Sequence, residues 1–250
     1  MKIFVINLKD SLERRKSIDM QLNKLNLDYE VVEAIDGRAL SNEEITQHTH
    51  ELNYACKPGE IGCSLSHLKV YRKILEHNIP CALILEDDVQ LTDDLPLVLA
   101  ELSHFIKTNA PSVTLLTHAH QYDAKIQHKI LPQYELHVLI EASCSHGYVI
   151  NASAAKNALD ILYPIWMVAD KWKIFREYSI ANLYAVLPTV IYHSKLSKTS
   201  IINEQRTDIN TLKLKKLTEE KLHKKRPLKI KLKRMLWMLI KRPFMDIIKQ

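Results

Sequence analysis

The feature that most constrains the fold is a short apolar run that ends in three consecutive acids. Residues 83–85 are Leu-Ile-Leu and lead directly into Glu86, Asp87 and Asp88. The run predicts a buried strand with carboxylates at its end, and adjacent buried carboxylates repel one another unless a positive charge lies among them. Hard cations such as Mg²⁺ or Mn²⁺ prefer oxygen ligands, and α/β sheets bind ligands beyond the carboxyl ends of their strands. We therefore expect a metal site there, the alternative being an ordinary acidic turn before the next helix.

Strands and helices alternate along the rest of the chain. Helices are predicted after Ser11, after Gly62, over 95–107 and over 152–162, and a capping box between Ser41 and Glu44 predicts a short one. The other strands are predicted at residues 2–6, 29–33, 113–116, 137–140, 148–150 and 186–192. This order predicts an α/β fold whose central sheet becomes mixed in its second half.

Composition fits a globular protein. The chain has 250 residues, and its hydrophobic content of 46% is enough for a sizeable core. The four cysteines lack the paired short spacings of a cysteine zinc site, so reduced thiols are expected. The apolar stretch of the first strand is too short for a secretory signal, and no export is expected. Glycine is scarce, so we expect each one to occupy a tight turn or a similar backbone position: Gly37, Gly59, Gly62 and Gly147.

Basic charge is concentrated near the C-terminus. Residues 213–242 contain 13 Lys or Arg and two acids, a net charge of +11, whereas the whole chain carries +6. Helical spacing places five apolar residues on one face: Leu228, Leu232, Met235, Leu236 and Leu239. With Trp237 as an interfacial anchor, this pattern predicts an amphipathic helix on an anionic membrane surface. A basic helix packed on the enzyme or on a second subunit is the alternative. Nucleic acid is not an expected partner, because no nucleic-acid module is recognisable.

Several short motifs occur in the order of one known family. In chain order they are Phe4-Val5-Ile6-Asn7-Leu8, Arg14-Arg15, Ala34-Ile35-Asp36-Gly37, Gly62-Cys63-Ser64-Leu65-Ser66-His67, Ile84-Leu85-Glu86-Asp87-Asp88 and, more weakly, Ser145-His146-Gly147-Tyr148-Val149-Ile150 and Val168-Ala169-Asp170. Together they resemble glycosyltransferase family 25, whose members build bacterial lipopolysaccharide or lipooligosaccharide and whose related domains modify collagen. The resemblance covers roughly 200 residues.

The resemblance implies a GT-A-like nucleotide-diphospho-sugar transferase fold, with a mixed central sheet flanked by helices. We expect a transferase domain over 1–205 and a basic helical C-terminal appendage over 206–250. The implied reaction is inverting transfer of a hexose, most often from a UDP-sugar and here expected to be UDP-galactose, to a lipooligosaccharide or lipopolysaccharide acceptor. Mn²⁺ or Mg²⁺ is the expected cofactor. The expected location is cytoplasmic, peripheral on the inner face of the bacterial inner membrane, and the oligomeric state stays open.

The resemblance also implies roles for individual residues. Asp88 is the first candidate for metal coordination, Glu86 the second and His193 a third, with His118 and His120 as an alternative pair. Asp170 is the candidate base that deprotonates the acceptor, an acceptor-orienting or structural role being the alternative. The residues expected to bind the nucleotide sugar are Asn7, Leu8, Arg14, Ser66, His67, Glu86 and Asp87. Ser66 and His67 are expected near a helix N-terminus, which favours an anionic donor.

Two other classes of function remain open. A catalytically silent, membrane-associated scaffold of the same fold would keep the architecture without turnover, although the intact acids argue against it. A sugar nucleotidyltransferase shares the architecture and the acidic metal ligands. Such enzymes usually carry a glycine-rich phosphate loop after the first strand, and residues 7–11 contain no glycine.

Overall fold

A nine-stranded sheet forms the centre of the computed structural model, which describes residues 1–106, 110–194 and 209–250. The strands are β1 (Lys2–Asn7), β2 (Glu30–Glu33), β3 (Cys81–Glu86), β4 (Val89–Leu91), β5 (Ser112–Leu115), β6 (Gln121–Leu131), β7 (Tyr134–Glu141), β8 (Gly147–Asn151), β9 (Asn182–Leu187), β10 (Ile191–His193) and β11 (Ile247–Lys249). The helices are α1 (Leu12–Lys24), α2 (Asn42–His48), α3 (Pro58–Glu76), α4 (Leu95–Phe105), α5 (Ala152–Leu162), α6 (Trp172–Glu177), α7 (Ile209–Lys225) and α8 (Leu228–Leu236).

The sheet is mixed. Its strand order is β11-β6-β7-β9-β5-β8-β3-β1-β2, and β4 pairs with β10 in a separate two-stranded sheet. Strand β1 pairs in parallel with β2 and β3, and β5 with β9, whereas β8 runs antiparallel to both β3 and β5. The predicted α/β architecture, with a mixed central sheet flanked by helices, is confirmed.

Alternation along the central strands buries both faces of the sheet. In β1, Phe4 and Ile6 belong to one hydrophobic cluster, and Ile3 and Val5 belong to another on the opposite face. Helices α3 and α5 contribute to the first cluster, while α1 and α4 contribute to the second. Because strands covered on both faces cannot shift register without exposing apolar side chains, the ends of β1 and β3 are rigid supports for a site.

Some predicted boundaries hold and one needs correction. Helix α5 has the predicted bounds, and the Ser41–Glu44 capping box is present. The third helix, however, begins at Pro58 rather than after Gly62, because Pro occupies its first turn and Glu60 accepts from the backbone N–H of Lys57.

Two glycines allow close backbone approach, and one of them, Gly37, also lies in the expected turn, which is closed by a 3.0 Å hydrogen bond from Ala39 N to Asp36 O. A Cβ on Gly62 would lie 2.4 Å from Gly37 N and from Ile35 O. A Cβ on Gly37 would lie 2.9 Å from Gly62 N. The loop after β2 therefore packs directly on the backbone of α3, and Gly62 lies inside that helix.

The apolar run predicted as one strand over 186–192 is two strands. Strand β9 ends at Leu187, directly before Pro188, and β10 begins at Ile191. Proline has no N–H to donate to a ladder, so it separates the two. Strand β10 leaves the main sheet and pairs with β4, opposite the end of β3.

The C-terminal segment packs against the body of the protein. Arg226 and Arg234 form ion pairs of 2.6 and 3.2 Å with the buried Glu177 of α6. Trp237, the expected interfacial anchor, lies under the guanidinium of Arg176, with 4.2 Å between that group and the ring centroid.

The final strand β11 joins the edge of the main sheet by pairing with β6, an element that the sequence analysis did not predict. The predicted domain boundary between 205 and 206 lies outside the described residues, and the division into two domains stays a prediction. Within the described ranges, no helix has the length and hydropathy required to cross a bilayer.

Candidate functional site

The three acids meet in one cavity. Strand β3 ends at Glu86, and residues 87–88 form the turn into β4. Glu86, Asp87 and Asp88 therefore all line a cavity of about 390 Å³ rather than alternating across the sheet. The cavity lies beyond the carboxyl ends of β1 and β3. These strands are neighbours in the sheet, and β2 lies on the other side of β1, so the strand order reverses at this point. This is the switch point at which open α/β sheets bind ligands.

Three residues predicted to bind the donor lie at the end of β1 or in the first turn of α1. Asn7 Nδ2 donates a 2.7 Å hydrogen bond to Asp87 Oδ2, and Leu8 lines the cavity. Arg14 Nη1 lies 3.4 Å from Asp87 Oδ1 and 3.7 Å from Asp88 Oδ2. One guanidinium thus faces two carboxylates, and the cluster carries more negative than positive charge.

The negative charge of the Asp88 carboxylate is poorly compensated by its neighbours. Its Oδ1 is buried and has no hydrogen-bond partner among the described residues. Burial, followed by the charge of Glu86, raises the pKa of Asp88 to about 7. Burial also raises the pKa of Asp87, although Asn7 and Arg14 oppose it. An orphaned carboxylate oxygen beside two further acids fits a hard divalent cation, since oxygen ligands and excess negative charge are what such an ion requires.

Glu86 is held in its ionised form. Burial acts to raise the pKa of this carboxyl, but His67 and Ser145 outweigh burial and lower the pKa. His67 Nε2 lies 3.5 Å from Glu86 Oε1, and Ser145 Oγ donates to the same oxygen at 2.7 Å. The other ring nitrogen of His67 is 2.8 Å from the hydroxyl of Tyr148, which fixes the ring.

The helix-terminus role expected for Ser66 and His67 is wrong. Both residues line the cavity, but α3 begins at Pro58, so they lie in its third turn, away from the helix N-terminus. Ser66 Oγ instead donates to Gly62 O at 2.7 Å and accepts from the N–H of Ile35 at 2.8 Å. It fastens the loop after β2 to α3, while His67 acts on Glu86.

The same loop brings two side chains that the sequence analysis did not assign. Asp36 and Arg38 line the cavity and form an ion pair of 2.5 Å. Asp36 falls within one of the family-like motifs, which was the available signal, whereas nothing in the pattern distinguishes Arg38 from a surface arginine.

A second cavity of about 950 Å³ lies beyond the acidic cluster. His118, His120 and His193 all line it. The ring of His193 lies on that of His146, with 3.8 Å between centroids, and the N–H of Ser194 donates to Asp88 O at 2.8 Å. The backbone at His193 therefore lies beside that of Asp88, but the His193 ring contacts the ring of His146.

The loop between β7 and β8 links Asp170 to the acidic cluster. Asp170 Oδ2 accepts from the N–H of Cys144 at 3.2 Å, and Ser145 donates to Glu86. The ammonium of the neighbouring Lys171 lies 3.4 Å from the Tyr54 hydroxyl and 3.7 Å from Glu219. Asp170 is thus hydrogen-bonded to Cys144, a residue that lines the larger cavity.

The fold and the site define an α/β protein with an acid-lined cavity beyond the carboxyl ends of its strands. The chain belongs to glycosyltransferase family 25 (LPS biosynthesis protein), whose family model matches residues 1–172. It is 29% identical over 219 residues to procollagen galactosyltransferase 2 of Mus musculus, covering 76% of this chain and 35% of the mouse protein.

Two further comparisons found another curated protein and a solved structure. A glycosyltransferase 25 family member of Aedes aegypti is 35% identical over 97 residues, covering 35% of this chain and 16% of that protein. The crystal structure of a glycosyltransferase involved in the glycosylation of the major capsid of PBCV-1 aligns over 88% of this chain and 98% of that one, with a TM-score of 0.31 and 11% identity. The chain thus spans about a third or less of the length of these curated relatives.

Proposed function

We propose that this protein is a metal-dependent, inverting glycosyltransferase that moves galactose from UDP-galactose onto a saccharide of lipooligosaccharide or lipopolysaccharide. The observation that carries the proposal is the acid-lined cavity at the sheet's switch point, in a chain that belongs to family 25. Its volume of about 390 Å³ falls in the usual range for small-molecule sites, roughly 300 to 1,000 Å³.

The donor would be held by groups on three sides of this cavity. Leu8 and Arg14 lie at one wall, and the loop containing Asp36 and Arg38 lies at another. Arg14 is positioned to move between the carboxylates and a bound diphosphate, since its guanidinium is 3.4 and 3.7 Å from two acids that a cation would neutralise. Asn7 orients Asp87 through the hydrogen bond described above.

Asp88 and Glu86 are the residues that would hold Mn²⁺ or Mg²⁺, whereas the ring of His193, the third ligand expected from the sequence, contacts that of His146. Such an ion supplies Lewis-acid stabilisation of the negative charge that develops on a departing nucleoside diphosphate. His67 and Ser145 keep Glu86 ionised and oriented, which keeps the pocket ready for a cation.

The acceptor would occupy the larger cavity, and Asp170 would receive its proton. The N–H of Cys144 orients one oxygen of Asp170, and an ionised carboxylate suffices for inverting transfer. The cavity of about 950 Å³ is roomy enough for an oligosaccharide end. Galactose is proposed from the name of the mouse relative, and the lipopolysaccharide acceptor from the description of the family.

Donor binding tests the first half of this proposal. Calorimetric titration of UDP-galactose and UDP-glucose into the chain should give Mn²⁺-dependent affinity for the galactose donor. The Asp88→Asn variant should bind at least tenfold more weakly, and the exposed Asp93→Asn variant should bind like the native chain. Equal, metal-independent binding by all three proteins would remove Asp88 from the donor site.

The two other classes make different predictions. A silent scaffold would bind the donor but release no UDP with any saccharide acceptor. A nucleotidyltransferase would form UDP-sugar from UTP and a sugar phosphate and release pyrophosphate. Measuring UDP and pyrophosphate in the same reactions separates these three functions.

We also propose that the C-terminal segment docks on an anionic membrane surface. In α8 and the turn after it, Leu228 is 83% exposed, Leu232 53% and Leu239 67%. Lys231 and Lys241 are exposed beside them. Such a face suits the boundary between headgroups and acyl chains, where each nearby basic residue contributes about 1 kcal/mol. This location would place the enzyme at the inner face of a bacterial inner membrane.

Vesicle flotation tests this docking. The chain should float with vesicles containing phosphatidylglycerol and not with pure phosphatidylcholine, and added salt should weaken binding. Changing Leu232 and Leu239 together to Ser should reduce binding by more than tenfold, since burial of one leucine contributes about 1.5 to 3 kcal/mol. Changing the exposed Leu97 of α4 to Ser is the matched control. Unchanged flotation of the double variant would contradict the proposal.

A further inference from the structure

Three potential metal ligands meet at the wall of the larger cavity. Cys144 and His146 come from the loop before β8, and His193 comes from the end of β10. One ligand atom from each lies within 4.8 Å of the other two. The chain brings residues about fifty positions apart together because β10 pairs with β4, directly after the acidic turn.

His146 is a buried polar residue with an unsatisfied ring nitrogen. Its side chain is 5% exposed, and its Nδ1 is buried with no hydrogen-bond partner among the described residues. An unpartnered buried polar atom costs roughly 1 to 3 kcal/mol. Its ring lies 3.8 Å from that of His193, centroid to centroid.

Cys144 is fixed in place by contacts on both sides of its peptide unit. Its φ of 69° lies in the left-handed region, which non-glycine residues seldom occupy. Asp170 accepts from its N–H at 3.2 Å, and Trp172 Nε1 donates to its carbonyl at 3.0 Å. These two bonds hold the thiol-bearing residue beside His146 in a conformation that it would otherwise leave.

We propose that Cys144, His146 and His193 bind Zn²⁺. One thiolate and two imidazoles are ligands that zinc prefers, whereas Mn²⁺ and Mg²⁺ prefer the carboxylates of the neighbouring cluster. Three protein ligands leave one tetrahedral position open to the cavity, as in zinc sites that exchange a water for another ligand. In a tetrahedral zinc site the ligand atoms lie about 3.4 to 3.6 Å apart. Side-chain rotations that move the ligand atoms by about 1 Å would therefore give these three residues the spacing of a zinc site.

Zinc here would influence the proposed transferase site without being part of it. Ser145, between the two predicted ligands of the loop, donates to Glu86, and the N–H of Glu86 donates to the carbonyl of His146 at 3.1 Å. An ion bound to the loop would therefore bear on the orientation of Glu86 and would occupy part of the cavity assigned to the acceptor. Its existence does not depend on sugar transfer.

Cobalt absorption spectroscopy and zinc competition test the proposal directly. The metal-free chain, titrated with Co²⁺, should bind one equivalent with a thiolate-to-cobalt charge-transfer band and the visible bands of tetrahedral cobalt. Zn²⁺ should displace the cobalt and remove both features. In competition with a chromophoric chelator, Cys144→Ser and His146→Gln should each weaken zinc binding by more than 100-fold, exceeding the 10- to 100-fold typical for loss of an outer-shell partner.

Control variants make the outcome decisive. Cys81→Ser removes a thiol at the opposite end of β3, and His104→Gln removes an exposed imidazole of α4, so both should bind zinc like the native chain. Far-ultraviolet circular dichroism should show that all four variants are folded. Cobalt binding without a thiolate band would overturn the assignment. So would zinc binding that is unaffected by Cys144→Ser but lost in Asp88→Asn, because the ion would then belong to the acidic cluster. Donor titration with Mn²⁺ tests the transferase site separately.

Discussion

Replacing Asp88 with Asn should stabilise the metal-free protein at pH 8. The Asp88 side chain is largely buried, and burial together with the charge of Glu86 raises its pKa to about 7. A folded-state pKa above the unfolded value means that stability is greatest below the unfolded pKa and is lost as the pH rises through the folded pKa. The native chain is therefore expected to carry an electrostatic cost above pH 7 that the Asn variant lacks.

The magnitude follows from the pKa. A value of about 7 is roughly three above that of an ordinary aspartate, and each pKa unit corresponds to about 1.4 kcal/mol. The cost of ionised Asp88 at pH 8 is then at most about 4 kcal/mol, and it falls below about 1 kcal/mol near pH 4.5. A buried asparagine amide without full hydrogen bonding costs about 1 to 3 kcal/mol, which leaves a net gain of about 1 to 3 kcal/mol at pH 8.

Urea unfolding in EDTA, at pH 8 and pH 4.5, measures this gain. Asp93→Asn is the control, because the Asp93 side chain is 77% exposed, and it should unfold like the native chain at both pH values. Mn²⁺ at a hundred times its dissociation constant should then stabilise the native chain by about 2.7 kcal/mol and leave Asp88→Asn nearly unaffected. The reasoning fails if Asp88→Asn is less stable than the native chain at pH 8, or if Mn²⁺ stabilises both equally.

Three further predictions follow from other contacts. Asp170→Asn should lower kcat by about 100-fold or more and leave the affinity for UDP-galactose within twofold, because the substitution removes a base and not a donor contact. A matching loss of donor affinity in calorimetry would contradict this prediction. Gly62→Ala should destabilise the fold by about 1 to 3 kcal/mol and weaken donor binding, because its Cβ would meet Gly37 and Ile35 backbone atoms at 2.4 Å; native-like urea unfolding would exclude the close approach. Glu177→Gln removes the carboxylate that forms ion pairs with Arg226 and Arg234. The backbone amides of the C-terminal segment should then exchange with deuterium faster, and trypsin should cut the segment sooner. Unchanged exchange over residues 226–250 would show that these ion pairs do not hold the segment in place.

The sequence predicts the centre of the fold better than its edges. The acid-tipped β3 and helix α5 are local patterns, in which apolar spacing and capping residues specify the element. Strand β6 was missed because several of its central residues are exposed and polar, so no alternating pattern marks it. Strand β11 joins the sheet only through β6, more than a hundred residues earlier, and such pairing has no local signal.

The candidate site divides in the same way. Asn7 and the three acids were predicted because they lie at the ends of two recognisable strands, and the structure brings them together. The cluster of His146 and His193 was not predicted, because a break at Pro188 directs β10 away from the main sheet and onto β4. Position along the chain gave no indication that these two rings are in contact.

The most direct test of the account is sugar transfer itself. The purified chain, incubated with a panel of UDP-sugars, Mn²⁺ and truncated lipooligosaccharide, should release UDP from UDP-galactose in step with galactose incorporation, and nuclear magnetic resonance should show inversion at the anomeric carbon. EDTA or Asp88→Asn should abolish both, while Asp93→Asn retains them. Failure of the folded native chain to release UDP from any donor under any metal condition would contradict the central claim and favour the silent scaffold.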